Sequence, residues 1–262
     1  TSQSNLASGY LSAGQYDKAL PLFEQSLELR KAKFGSDHPD TLTSMNNLAT
    51  GYSVAGQLDK ALSLHEQTLE LRKAKLGSNH PDTLTSMENL ARVLCDARQV
   101  DKGLALLEQT LELRRAQLGD NHPDTQASIS NLASGYRTAG QPDKALPLFE
   151  QSLELRKATL GSDHPETLKN MNSLAATYWS LKQLDKSIPL FEEALRLLEA
   201  KLGRDHPDTL LTIANLGVNY KDAGRLEEAI PLLEEAVEQI PKFPFLSGVR
   251  SQLQEAKLKA NE

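Results

Sequence analysis

The dipeptide His-Pro occurs five times, beginning at His38, His80, His122, His164 and His206, and every interval is 42 residues. Gly35, Gly77, Gly119, Gly161 and Gly203 keep the same interval, as do Leu48, Leu90, Leu132, Leu174 and Leu216. Two stretches, LPLFEQSLELRKAKFGSDHP from Leu20 and LPLFEQSLELRKATLGSDHP from Leu146, are nearly copies, which points to recent duplication. A register held without insertion restricts the chain to a stack of equivalent units in which each contacts mainly its neighbours.

The unit from Pro39 to His80 reads as two helices. Leu42, Met45, Leu48, Ala49 and Tyr52 fall on one helical face, and Gly56 stops that helix because glycine takes the left-handed conformation cheaply. Leu58, Ala61, Leu62, His65, Leu69 and Leu76 mark a longer second helix that ends at Gly77. Pro81 suits the first position of the next helix, and Asp82 sits at its positive end. Small residues at Ala49, Ala91, Ala133, Ala175 and Gly217, and at Ala61, Ala145 and Ala229, let paired helices approach closely. No alternating β-branched run predicts a strand. One helix pair cannot bury both apolar faces, so the pairs are expected to stack.

Leu48-Ala49 with Tyr52, Ala61 and Thr68, and more plainly Leu216-Gly217, Tyr220, Gly224, Ala229, Ala236 and Pro241, resemble the tetratricopeptide pattern. The usual unit has about 34 residues; here about two extra turns on the second helix make 42. The form with Leu-Gly, His-Pro-Asp and Asn-Leu-Ala is similar to the repeats of kinesin light chain and of bacterial proteins with such arrays. The resemblance implies an all-α, right-handed superhelical solenoid. Its six units are expected at about 1–38, 39–80, 81–122, 123–164, 165–206 and 207–241. Residues 242–262 are expected to form a capping helix with Leu246, Val249, Leu253, Ala256 and Ala260 inward.

Composition removes several functions. Thirty-five Asp and Glu outnumber 29 Lys and Arg, for a net charge of −6, which disfavours nucleic acid and anionic membranes as partners. No apolar run approaches the roughly 20 residues that span a bilayer. The one cysteine, Cys95, fits a reducing, cytoplasmic setting. Because the chain starts with Thr1, it reads as a segment of a larger intracellular protein.

No catalytic constellation emerges. The loop histidines follow Asp37, Asn79, Asn121, Asp163 and Asp205, but equivalent atoms of stacked units should lie roughly 10 Å apart. Zinc draws its ligands to about 2 Å from one point, so no metal or other cofactor is expected, and the histidines are expected to cap helices or bond to the next loop. His65 shares its column with Phe23, Leu107, Phe149, Phe191 and Leu233, so it is expected to be a core histidine, hydrogen-bonded or partly exposed. Cys95 is expected to be a packing residue. GxSxG and Walker signatures are missing, and the Glu-Leu-Arg-Lys segments, with Glu70 and Lys73 or Glu154 and Lys157 as i,i+3 pairs, are expected on exposed helix faces.

The first helix leaves Thr43, Asn46, Asn47, Thr50, Ser53 and Val54 off the core stripe. The resemblance implies that this face lines a concave groove that binds peptides. One column there reads Asn5, Asn47, Asn89, Asn131, Ser173 and Asn215, and an amide offers a donor and an acceptor to a peptide backbone. The same asparagines could instead bond between neighbouring first helices; the two roles are compatible. The next column varies as Leu11, Ser53, Cys95, Arg137, Trp179 and Lys221. Trp179, the only tryptophan, is a candidate anchor or an inter-repeat packing residue. Arg92, Arg137, Lys169 and Lys221 would favour an acidic or C-terminal peptide, against Glu88, Asp96 and Asp222. The expectation is a non-enzymatic protein- or peptide-binding scaffold. The alternatives are a self-associating structural array, or a regulatory or sensor module beside a bacterial kinase, ATPase or protease.

Overall fold

The computed structural model describes residues 2–260, so residue 1 of the first expected repeat and residues 261–262 of the expected cap lie outside the described residues. The described residues form thirteen α-helices and one 3₁₀ turn, with no strand among them. The first helices are α1 (Ser2–Ser12), α3 (Pro39–Val54), α5 (Pro81–Asp96), α7 (Pro123–Thr138), α9 (Pro165–Ser180) and α11 (Pro207–Asp222). The second helices are α2 (Tyr16–Phe34), α4 (Leu58–Leu76), α6 (Val100–Leu118), α8 (Pro142–Leu160), α10 (Leu184–Leu202) and α12 (Leu226–Glu238). A 3₁₀ turn at Pro244–Leu246 leads to α13 (Val249–Lys259). Contacts divide the chain into two compact units, Thr1–Ala139 and Gly140–Glu262. Within each unit every helix packs on the next in sequence.

The loop sequence sets the start of each long first helix. His38, His80, His122, His164 and His206 are all N-caps, and each Nδ1 accepts the backbone N–H two residues on at 3.1–3.2 Å. The cap satisfies one of the orphan donors of the first turn, and the following proline has no N–H to satisfy. The preceding second helix stops at a glycine with φ between 76° and 92°, a region costly for any other residue.

The apolar columns form the cores. In unit 1, Leu42, Met45, Leu84, Met87 and Ile129 are fully buried, as are Ala49, Ala91 and Ala133 where paired helices meet. In unit 2, Phe191, Ile213 and Leu233 play that part, and Leu246, Val249 and Ala256 bring α13 into the same cluster on α12 and α11. Each leucine removed from water contributes about 1.5–3 kcal/mol.

The two extra turns of the second helix have a structural use that the sequence reading missed. Arg72, Arg114 and Arg156, in the Glu-Leu-Arg segments expected on exposed faces, are buried. Arg72 Nη1 donates to Asp82 O (2.8 Å) and Ser86 Oγ (2.8 Å), and Arg114 Nη1 to Asp124 O (2.9 Å) and Ser128 Oγ (2.9 Å). Arg30 and Arg156 make the same bond to Asp40 O and Glu166 O. Each arginine ties the end of one second helix to the first turn of the next first helix. A second tie is the tyrosine of each pattern: Tyr52 donates to Glu24 (2.6 Å) and Tyr220 to Glu192 (2.6 Å). Burial and the Glu24 carboxylate push the Tyr52 hydroxyl up to about 12.

Candidate functional site

Residues of α5, α6 and α7 in unit 1 line a partly open cavity of about 260 Å³. Leu107 of α6 forms its floor; Cys95, Ser134 and Gly135 form walls, and Asn89, Arg92, Asp96, Asn131 and Thr138 stand around them. The room depends on glycine: a Cβ on Gly135 would lie 2.9 Å from Leu107 Cδ1 and 3.0 Å from Leu104 Cδ2. Gly103 lets α6 approach α5, since a Cβ there would sit 2.6 Å from Cys95 Sγ and 2.7 Å from Ala91 O.

Three candidate groove residues, Asn89, Arg92 and Asn131, therefore meet at one cavity. Arg92 and Asn131 are exposed. Asn89 is half-buried, and its Nδ2 donates to Asn46 Oδ1 on α3 at 2.9 Å, so it bonds between neighbouring first helices as well as facing the cavity. Asn47 is half-buried on α3 and Arg137 is exposed in the last turn of α7; neither lines this cavity.

Glu88 also lines the cavity, and its charge is held from behind. Arg114 lies 3.0 Å from one carboxylate oxygen, with the Glu88 side chain 11% exposed, and Ser128 Oγ donates to the other at 2.6 Å. Arg92 and Asp96 are thus the exposed charges of the site. Cys95 is buried, and burial, followed by the Asp96 charge, raises its thiol above the ordinary range. A buried neutral thiol is a poor nucleophile.

In unit 2, Lys169 is exposed on α9 and Asn215 is half-buried on α11. Trp179 is half-buried, and its Nε1 donates to Asp222 Oδ2 at 2.8 Å, across from α9 to α11. Lys221 departs from its expected place as an open groove charge: its side chain is 5% exposed and bonds to Gln252 (2.8 Å) and Glu255 (2.7 Å) of α13. An ammonium taken out of water must be paired, and the terminal helix supplies the partners.

Among the described residues, no group of three or more His, Cys, Asp or Glu is placed to hold a metal ion. His65 is fully buried, and neither ring nitrogen has a hydrogen-bond partner among the described residues, unlike the bonded or partly exposed histidine expected. Burial and then the Arg92 charge lower its pKa to about 4. No helix among the described residues is long and apolar enough to cross a membrane.

The tetratricopeptide repeat family matches residues 1–74, 52–99, 82–158, 125–200 and 169–242. The chain belongs to that family, and its repeats are of the kinesin light chain-like type. It is 33% identical to the nearly identical TPR-like repeats of a Podosopora anserina putative kinesin light chain, over 77% of this chain and 95% of that one, with a TM-score of 0.64. BtubC (BKLC) from P. vanneervenii has the same fold at 21% identity, covering 85% of this chain and 90% of its own, with a TM-score of 0.72. A STAND ATPase with a tetratricopeptide repeat sensor from Pyrococcus horikoshii shares the fold at 16% identity, over 97% of this chain and 38% of its own, with a TM-score of 0.68. No curated protein sequence matches the chain.

Proposed function

We propose that the chain is a non-enzymatic scaffold whose first-helix face binds a short extended peptide or protein segment, within the six repeats and terminal cap described above. The observation that carries this reading is the unit 1 cavity where Asn89, Arg92 and Asn131 meet. Its floor is apolar, its rim is rich in amides and hydroxyls, and its one buried carboxylate is already paired with Arg114. Such a site holds a side chain on an apolar floor and a backbone on its rim. Exposed Arg92 and Arg137 favour a ligand with a carboxylate, through a charge-assisted bond. Asn47, Asn89 and Asn131 supply amide rungs in unit 1; in unit 2 Asn215 supplies one, Lys169 adds charge, and Trp179 is the aromatic contact. Tetratricopeptide arrays generally mediate protein–protein interaction, which supports this reading.

A peptide library panned against the wild type and rebound to single variants tests this. Arg92→Ala is expected to weaken selected acidic peptides by about tenfold, the loss of one charge-assisted bond. Asn131→Ala should weaken many sequences alike, since it reads backbone. Selected peptides that bind both variants as well as the wild type would exclude this face as the site.

A further inference from the structure

We propose that Asp222 is the positioning residue for Trp179 and that α13 fixes Asp222 through Lys221, which makes the C-terminal helix part of the ligand-binding face of unit 2; the last step rests on the peptide-binding reading above. An indole has a single N–H donor, so the acceptor it finds fixes the ring's orientation. Trp179 gives that donor to Asp222 Oδ2 at 2.8 Å. The other oxygen, Oδ1, lies 3.2 Å from Lys221 Nζ.

Lys221 has three N–H donors and three acceptors around it: Asp222 Oδ1, Gln252 Oε1 at 2.8 Å and Glu255 Oε2 at 2.7 Å. Its burial makes this set obligatory, because an unpaired ammonium away from water is costly. Glu255 in turn accepts from Lys259 at 2.7 Å, and the bonds to Lys221 and Lys259 hold its carboxyl near a pKa of about 2. A continuous polar chain therefore runs from α9 through α11 to α13. Removing the α13 partners leaves Asp222 Oδ1, 3.2 Å away, as the remaining ion-pair partner of this buried charge among the described residues, which draws the carboxylate away from the indole.

The arrangement is particular to these repeats. One repeat pair earlier, the counterparts of Trp179 and Lys221 are Cys95 and Arg137, and Arg137 is exposed. The C-terminal helix thus does more than shield the apolar end of α12: it reaches the candidate anchor two first helices away.

Trp179 is the only tryptophan, so its emission reports this indole alone. Acrylamide quenching and anisotropy are read without peptide on four variants of the full chain, each checked for helicity by circular dichroism. Asp222→Ala and the double change Gln252→Ala with Glu255→Gln should raise quenching and lower anisotropy. Asp222→Asn keeps an acceptor for the indole and should stay nearer the wild type than Asp222→Ala. Lys257→Ala breaks the 2.6 Å bridge from α13 to Glu234 without touching Lys221, and should leave Trp179 unchanged. Wild-type emission in the double variant, or an equal change in Lys257→Ala, would overturn the relay. Peptides selected on the wild type should lose about tenfold on Asp222→Ala, a fraction of a hot-spot residue's worth. Altered emission with unaltered peptide binding would leave the relay standing and overturn its place in the ligand face.

Discussion

Between α5 and α7 of unit 1 the floor is Leu107 and the walls are Cys95, Ser134 and Gly135; between α9 and α11 of unit 2 the equivalent positions hold Phe191, Trp179, Val218 and Asn219. Two of the larger set are tied down by hydrogen bonds to neighbouring side chains and backbone. Asn219 Oδ1 lies 2.5 Å from Ser187 Oγ, and its Nδ2 donates to Asn215 O at 2.8 Å. Ser187 and Asn219 correspond to Gly103 and Gly135, so a hydrogen-bonded pair in one unit stands where two glycines let helices approach closely in the other. The shared columns decide where a cavity can form; the side chains at four or five positions decide whether it stays open. A repeat scaffold can therefore vary this first-helix face while the leucine column of Leu48, Leu90, Leu132, Leu174 and Leu216 stays the same.

If the core is common property, cutting it should cost both units alike. Leu132 in unit 1 and Leu216 in unit 2 occupy the same column and are 5% and 3% exposed. Leu132→Ala and Leu216→Ala should each lose about 2–5 kcal/mol in urea unfolding followed by circular dichroism. Trp179 emission reports unit 2 alone, so a Leu132→Ala transition seen by circular dichroism but not by emission would show that the units unfold separately, as a linear array permits. A loss confined to one of the two variants would break the equivalence of the columns.

A smaller effect distinguishes the second helix α4 from its counterparts. His65 fills a column otherwise held by Phe and Leu, with a folded pKa of about 4 against an ordinary 6.5. Above pH 6.5 both folded and unfolded histidine are neutral and titration costs nothing. As pH falls from 6.5 to 4 the unfolded chain takes up a proton that the core refuses, so stability declines by up to about 3 kcal/mol. His65→Phe, the residue of the same column in α2, should remove that pH dependence. Parallel pH profiles of the two proteins by urea unfolding check it; parallel slopes would mean that His65 finds water or a partner.

These differences were unequally visible in the sequence. The 42-residue register carried the helix boundaries, the N-cap loops and the columns of Leu48 and Ala49, because burial repeats with the chain. It also placed Asn89, Arg92 and Asn131 on one face. The buried arginines were hidden by their charge, although Arg72 lies three residues beyond Leu69 and four before Leu76, squarely on the apolar stripe. Lys221 was misplaced for another reason: its partners Gln252 and Glu255 come from α13, which follows a broken register, so no column arithmetic could pair them. The close packing around the cavity depends on what Gly103 and Gly135 omit, and a missing side chain has meaning only once its neighbours are in place.

The smallest effect should be the same in both units. The turn between first and second helices needs a left-handed residue, and glycine supplies it at Gly14, Gly56, Gly140 and Gly224 with φ between 70° and 76°. Arg98 in unit 1 and Lys182 in unit 2 adopt φ of 64° and 62° instead. Left-handed backbone costs an L-residue roughly 1–2 kcal/mol, and glycine returns part of that gain through the greater freedom of its unfolded chain. Arg98→Gly and Lys182→Gly should each stabilise by about 0.5–1 kcal/mol, a rise of roughly 1–4 °C in Tm for a chain of this size. Equal rises would show that the turn is governed by backbone alone in both units. A fall in one variant would show that its basic side chain makes a contact worth more than the strain, and would extend the difference between the units from their walls to their turns.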